Sequence, residues 1–158
     1  MIRAVGDPET RFCEDALRIL RAFRFCAQLG YAVDPATAEG AKRAATGLAQ
    51  ISVERIFSEL CRLLEGKNAK AALRALLLAG CEKYVFFDTR IFNIDVNIDV
   101  LSPKAALRLA ALAPQMSEAD AVALCRRWHA PNAFAAELCA YLAAVREPMP
   151  KTPYEARR

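Results

Sequence analysis

The strongest constraint on the fold is a helical periodicity that begins at Phe12. Phe12, Ala16, Ile19, Phe23, Cys26 and Ala27 recur at helical spacing, and Gly30 supplies a stop. This predicts one amphipathic helix from Phe12 to Leu29. Similar signals follow. Asp34-Pro35 is an N-cap and first-turn pair that opens a short helix ending near Gly47. Ser52 caps another helix, with Val53, Ile56, Leu60, Leu63 and Leu64 on its buried side and Gly66 closing it. Asn68 and Gly80 bracket a fourth, Ala/Leu-rich helix. Ser102-Pro103 and Ser117 start two more, and Pro131-Asn132 precedes a last one that ends at Glu147-Pro148. Composition agrees with this count. The hydrophobic fraction is 55%, much of it alanine, while β-branched and aromatic residues are sparse outside one stretch. At 158 residues the chain can bury a core without staples, so the expected fold is all-α.

The exception lies between Val85 and Leu101. Ile94, Val96, Ile98 and Val100 alternate with Asp95, Asn97 and Asp99 in the period of a strand, yet Ile91, Ile94, Ile98 and Leu101 also fit a helical stripe. A lone strand has no partner elsewhere in the chain, which favours helix or irregular linker. The Asp95–Asp99 run resembles the start of an EF-hand loop, but Val100 stands where glycine is needed and Ala106 where glutamate belongs, so calcium binding is not expected. Residues 149–158 are proline-rich and charged and read as a linker or tail.

The net charge of +4 suits a polyanionic partner without requiring one. Six scattered cysteines with no C-x-x-C pair, and a single histidine, His129, argue against structural zinc and for buried, reduced thiols. No segment has the length of a membrane span and the N-terminus has no signal core, so a soluble, cytoplasmic protein with no membrane partner is expected. His129 follows Trp128 at a helix end and is assigned no chemistry.

Arg11, Asp15 and Arg18 fall on one side of the first expected helix, since about 100° per residue separates Asp15 from Arg18 by about 60°. Spacing alone allows an intrahelical ladder, Arg11–Asp15 and Glu14–Arg18, or two side chains that reach one ligand. The run from Ile2 to Thr37 resembles the neck of class II CCA-adding tRNA nucleotidyltransferases and the related bacterial poly(A) polymerases. Its centre is an E-D-x-x-R motif, Glu14-Asp15-Ala16-Leu17-Arg18, followed by Arg21, Ala22, Arg24 and Phe25. A second block of E-R-x-x-x-E-L form stands at Glu54-Arg55-Ile56-Phe57-Ser58-Glu59-Leu60. The match is close from about Ile2 to Gly66 and thereafter rests on helical character and on RLAAL at Arg108 to Leu112.

The resemblance implies a nucleotide-recognising neck over 1–66 and a helical body over 67–148. It implies that Asp15 and Arg18 read incoming CTP and ATP. Cytosine and adenine both present an exocyclic amine donor beside a ring-nitrogen acceptor, which a carboxylate and a guanidinium would satisfy together. Guanine and uracil reverse that polarity, and mispaired buried groups cost enough for exclusion. Arg11, Glu14, Arg21 and Arg24 lie nearby and can pair structurally or meet phosphate, with structural pairing favoured for Glu14, Arg21 and Arg24. Glu54, Arg55 and Glu59 are expected to buttress the neck and orient Arg18 or Arg21. The implied partners are the 3′ end and acceptor stem of tRNA, with CTP, ATP and Mg²⁺ in the full-length enzyme. The metal-holding G-S…D-x-D head of the family has no counterpart in these residues, so this portion is expected to be inactive alone and to hold no cofactor tightly. The same residues leave open a poly(A) polymerase, a stand-alone helical adaptor, or an RNA-binding scaffold without nucleotide specificity.

Overall fold

A computed structural model describes residues 1–87 and 92–146. These residues form nine α-helices: α1 (Pro8–Glu14), α2 (Leu17–Leu29), α3 (Pro35–Ala44), α4 (Val53–Leu64), α5 (Ala69–Leu78), α6 (Glu82–Val85), α7 (Ala105–Leu112), α8 (Glu118–Arg127) and α9 (Asn132–Arg146). Two 3₁₀ turns, Ala45–Gln50 and Ile98–Val100, lie between them. Among the described residues the one β contact is an isolated parallel bridge between Ile2 and Val33. The chain is all-helical, as the periodicity predicts. The expected tail over 149–158, the helix end at Glu147-Pro148 and the position of Ile91 lie outside the described residues.

The centre is α2. It packs on α4 and α5, while α3 covers α1 and α9 packs on α7 and α8. Ile19 and Phe23 of α2 are completely buried, and Ile56 and Leu60 of α4 are buried with them in one continuous cluster that runs through Leu73, Leu109, Leu124 and Trp128. The expected packing of the neck helix against α4 is therefore observed. Apolar stripes at helical spacing on longer helices such as α2 and α4 make this arrangement possible, because each can bury one face only against another.

Two boundaries and two caps differ from the sequence reading. Phe12–Leu29 is not one helix: α1 ends at Glu14 and α2 begins at Leu17. Asp15 is extended, with φ −155° and ψ 100°, and its Oδ1 accepts the Leu17 N–H at 3.0 Å. A short acidic side chain that bonds two residues ahead offers the backbone a turn in place of a further helical bond, and periodicity alone does not register it. The helix expected from Ser102 begins at Ala105 instead. Ser52 and Asn68 hold the expected N-cap positions, but neither side chain caps its helix.

The ambiguous stretch is irregular apart from the 3₁₀ turn, which buries Ile98 and leaves Val100 exposed. Its acidic residues have a structural use. Asp99 Oδ1 accepts the Lys70 N–H at 3.2 Å, so the N-terminus of α5 is capped from 29 residues away, and Lys70 Nζ donates to the Asp95 carbonyl at 2.6 Å. Arg108 closes the same region from inside. Its guanidinium is buried and donates to the carbonyls of Leu64 at 2.7 Å, Gly66 at 2.5 Å and Leu101 at 3.0 Å, with Asp99 4.0 Å away. A cation thus satisfies the orphan carbonyls at the end of α4.

Gly66 was expected to end α4 by its conformational freedom. The structure gives another reason. Its φ is not positive, and a Cβ there would lie 2.6 Å from both the carbonyl carbon and the Cβ of Ala27. Glycine is required because the chain leaving α4 touches the backbone of α2, where Asn68 N also donates to the Ala27 carbonyl at 3.0 Å. Gly66→Ala is expected to cost about 1–3 kcal/mol, since backbone has to move. Urea denaturation measures this, and a loss below about 0.5 kcal/mol would contradict the close approach.

The cysteines behave as small apolar residues. Cys26, Cys81 and Cys125 are buried, Cys61 and Cys139 partly so, Cys13 is exposed, and none is bonded to another. Burial pushes the Cys61 and Cys81 thiols up to about 12 and that of Cys125 to about 11, so all three stay protonated at neutral pH. Trp128 donates its indole N–H to the Val85 carbonyl at 2.8 Å. His129 follows in the left-handed region at φ 51°, where its backbone N–H and that of Ala130 bond back to Arg126 and Cys125 and close α8.

Candidate functional site

The break between α1 and α2 faces a cleft of about 350 Å³. Arg18, Arg21, Ala22 and Phe25 line it from one face of α2, Arg11 and Phe12 from α1, and Ile2, Arg3, Ala4 and Val5 from the N-terminal segment. The N-terminal wall is held in place. Arg3 donates through Nε and Nη2 to one oxygen of Asp34 at 3.2 and 3.1 Å, Ile2 exchanges backbone bonds with Ala32 and Asp34, and Ala4 N donates to Thr37 Oγ1 at 3.1 Å. Burial pushes the Asp34 carboxyl up, but the bonds from Thr37 N and Arg3 outweigh it and hold the group below the usual carboxylate range.

Four arginines line the cleft and no carboxylate does. Arg11 and Arg18 are tied to Glu14, whose Oε2 lies 3.1 Å from Arg11 Nη1 and 2.6 Å from Arg18 Nη1. The Arg18 hydrogen bond, with both arginine charges behind it, holds the Glu14 carboxyl low. The Glu14–Arg18 rung of the expected ladder is present, but the Arg11–Asp15 rung is not. Arg11 reaches Glu14 instead, because Asp15 has left the helix. Arg18 Nη1 also donates to the Arg11 carbonyl at 3.2 Å, which occupies that nitrogen, while Nε and Nη2 make no bond among the described residues. The guanidinium is therefore anchored at one corner and keeps three N–H donors for a ligand.

Asp15 and Arg18 do not stand about 60° apart on one unbroken helix, because the helix breaks at Asp15. Asp15 stands in the turn that starts α2, half-buried and outside the lining of the cleft, and Arg18 occupies the first turn of α2. The two are linked by a hydrogen bond from the Arg18 N–H to the Asp15 carbonyl at 3.0 Å.

The second motif also departs from expectation. Glu59 pairs with Arg24, not with Arg18 or Arg21: Arg24 Nε and Glu59 Oε2 are 3.2 Å apart, both side chains nearly buried. Neither atom has a hydrogen-bond partner of good geometry among the described residues, so this is a contact of charges. Glu59 also lies 3.9 Å from Arg62. Glu54 meets His129 at 2.6 Å, at the far end of α4, and Arg55 is exposed without an ion pair among the described residues. Structural pairing holds for Glu14 and Arg24. It does not for Arg21, which lines the cleft and makes no ion pair among the described residues. Arg3 and Phe25 were missed as cleft residues, because Arg3 arrives through a tertiary clamp and Phe25 sits on the polar side of α2. Among the described residues no three His, Cys, Asp or Glu side chains converge as a metal site, and no helix is long and apolar enough to cross a membrane.

Residues 30–89 match the family model described as "Probable RNA and SrmB- binding site of polymerase A". A CCA-adding enzyme of Lactococcus lactis is 36% identical over 138 residues, 85% of this chain and 35% of the relative. One of Limosilactobacillus reuteri is 46% identical over 84 residues, 53% of this chain and 21% of the relative. The crystal structure of the Bacillus stearothermophilus CCA-adding enzyme in complex with CTP superposes with a TM-score of 0.75 at 34% identity, over 90% of this chain and 37% of that one. Fold and cleft thus define a helical module of a nucleotidyltransferase family. The chain belongs to the family of class II CCA-adding enzymes and bacterial poly(A) polymerases, and it spans about a fifth to a third of the length of the curated relatives it matches.

Proposed function

We propose that this chain is the nucleotide-recognising neck, residues 1–66, and the helical body, 67–148, of a cytoplasmic nucleotidyltransferase that adds C and A from CTP and ATP to the 3′ end of tRNA. The observation that carries the reading is the cleft: four arginines, no lining carboxylate, and at its edge the Asp15–Arg18 turn in which Arg18 keeps three N–H donors. A solved relative that matches 90% of the chain holds CTP. In this reading Arg18 donates to the ring-nitrogen acceptor shared by cytosine and adenine, Asp15 accepts from the exocyclic amine, and Arg11, Arg21 and Arg3 face phosphate or RNA.

Nucleotidyl transfer in this family pattern uses Mg²⁺ held by converging carboxylates. The described residues offer no such set and do not fit the ion. The metal chemistry is therefore assigned to other parts of the longer protein. The isolated chain is expected to incorporate no nucleotide, and Mg²⁺-dependent incorporation by residues 1–158 alone would sink this division of labour. The family model's description as part of polymerase A keeps a poly(A) polymerase as the second reading. One assay decides. The full-length protein is given tRNA that ends before its CCA, with each of the four nucleotides. Addition of C then A supports the first reading, long A tracts support the second, and addition of neither overturns both.

A further inference from the structure

We propose that Phe25 is a stacking platform for a nucleobase on the floor of the cleft, aimed by the buried Arg24–Glu59 pair. This rests on the reading of the cleft as a nucleotide site and adds a residue to it.

Phe25 is 40% exposed, whereas Leu17, Ile19, Leu20 and Phe23 of α2 are buried; Leu29, at the end of the helix, is also exposed but does not line the cleft. It lines the cleft together with Arg18, Arg21 and Ala22, at the i, i+3, i+4, i+7 spacing of one helix face. An aromatic ring standing among arginines is the combination that takes a base by stacking and its phosphate by charge, and stacking tolerates any base because each has a π-face. The ring is also backed. The Arg24 guanidinium lies 4.3 Å from its centroid, and Arg24 is in turn fixed by Glu59 at 3.2 Å, with both charged side chains nearly removed from water. A buried pair whose Nε and Oε2 lack good hydrogen bonds is an expensive way to hold two helices together, since an apolar pair of the same volume would serve stability as well. What the pair adds is direction: it fixes the plane of the cation behind Phe25, and so the ring, before any ligand arrives. The link from Glu59 to Phe25 also gives the second sequence motif a route to the cleft that does not pass through Arg18.

The base can come from the incoming nucleotide or from the 3′ terminus of the RNA, and a fluorescence titration tells them apart. In the full-length protein carrying Phe25→Trp, the signal beyond that of the unsubstituted protein reports the ring, because Trp128 is completely buried. Quenching by CTP or ATP but not by ribose 5-phosphate assigns the platform to the incoming base. Quenching by a short RNA ending in CC, and not by free nucleotide, assigns it to the terminal base. Either result supports stacking, and quenching no greater than that by ribose 5-phosphate overturns it. In the incorporation assay Phe25→Ala is expected to raise the corresponding KM about tenfold, with Phe25→Tyr close to the original protein. Both KM values within about twofold for a folded Phe25→Ala protein would also overturn it. Glu59→Gln is expected to raise the same KM about threefold with kcat little changed, whereas a loss of thermal stability with that KM unmoved would remove the aiming role. A full-length protein that incorporates neither C nor A counts against the proposed function, while the titration still decides the platform.

Discussion

Replacing Arg108 with methionine is expected to cost the fold about 3–5 kcal/mol, the largest stability effect of any single substitution considered. Methionine keeps much of the volume but none of the donors. The carbonyls of Leu64, Gly66 and Leu101 would lose the partner they now share, inside a region the guanidinium itself seals. Stranded acceptors cost about 1–3 kcal/mol each, and removal of the buried cation returns only part of that sum. A loss of this size takes a large share of the stability of an ordinary domain and corresponds to a fall of roughly 10 °C or more in Tm. Arg108→Lys is expected to fall between, because one ammonium cannot span three carbonyls that a planar fork reaches together. Urea denaturation of both variants is the measurement. If Arg108→Met lies within about 1 kcal/mol of the original chain, the carbonyls have found other partners and the staple is not needed.

Asp15→Asn is expected to have the largest effect on specificity. The structure makes asparagine a sharper probe than alanine, because Asn Oδ1 can still accept the Leu17 N–H and keep the turn between α1 and α2. What changes is the outward polarity: the oxygen that the proposed function turns toward a base becomes an NH₂ donor. Toward an exocyclic amine this opposes donor to donor, and toward a carbonyl it offers a bond. In the full-length protein, use of CTP and ATP should fall by about 1–3 kcal/mol, roughly 5- to 150-fold in kcat/KM, while UTP and GTP lose little. Selectivity would narrow along with rate. Asp15→Ala should show the same loss of preference with an added stability cost of about 1 kcal/mol from the lost turn bond. Incorporation of all four nucleotides, followed beside thermal unfolding, separates the effects. A folded Asp15→Asn protein that keeps its preference for C and A would show that Asp15 only shapes the turn.

Other features were legible in the sequence. The helix count was not, since periodicity draws α1 and α2 as one helix and misses α6. The all-helical character, the buried faces of α2 and α4, the Gly30 stop and the Ser117 cap follow from rules that act within four residues along the chain. There a side chain's neighbours are known as soon as the helix is. The E-D-x-x-R segment was conspicuous for the same reason, and Glu14–Arg18 formed at its expected spacing.

What the tertiary structure decided were contacts between residues far apart in sequence, and places where one side chain outbids the backbone. Asp15 broke a helix that periodicity drew as continuous, because a carboxylate bonding to Leu17 N competes with the next helical hydrogen bond by an amount too small to leave a pattern. Glu59 chose Arg24 over Arg18 and Arg21, since helix spacing says which residues share a face but not how α2 is turned against α4. Asp99 capped α5, Arg108 closed α4, and Arg3 reached Asp34 to raise one wall of the cleft, each across about 30 residues or more. Local chemistry therefore determined the elements and marked the motif. The angle and register at which α2 meets its neighbours determined which charges are spent inside the fold and which, with Phe25, are left facing the cleft.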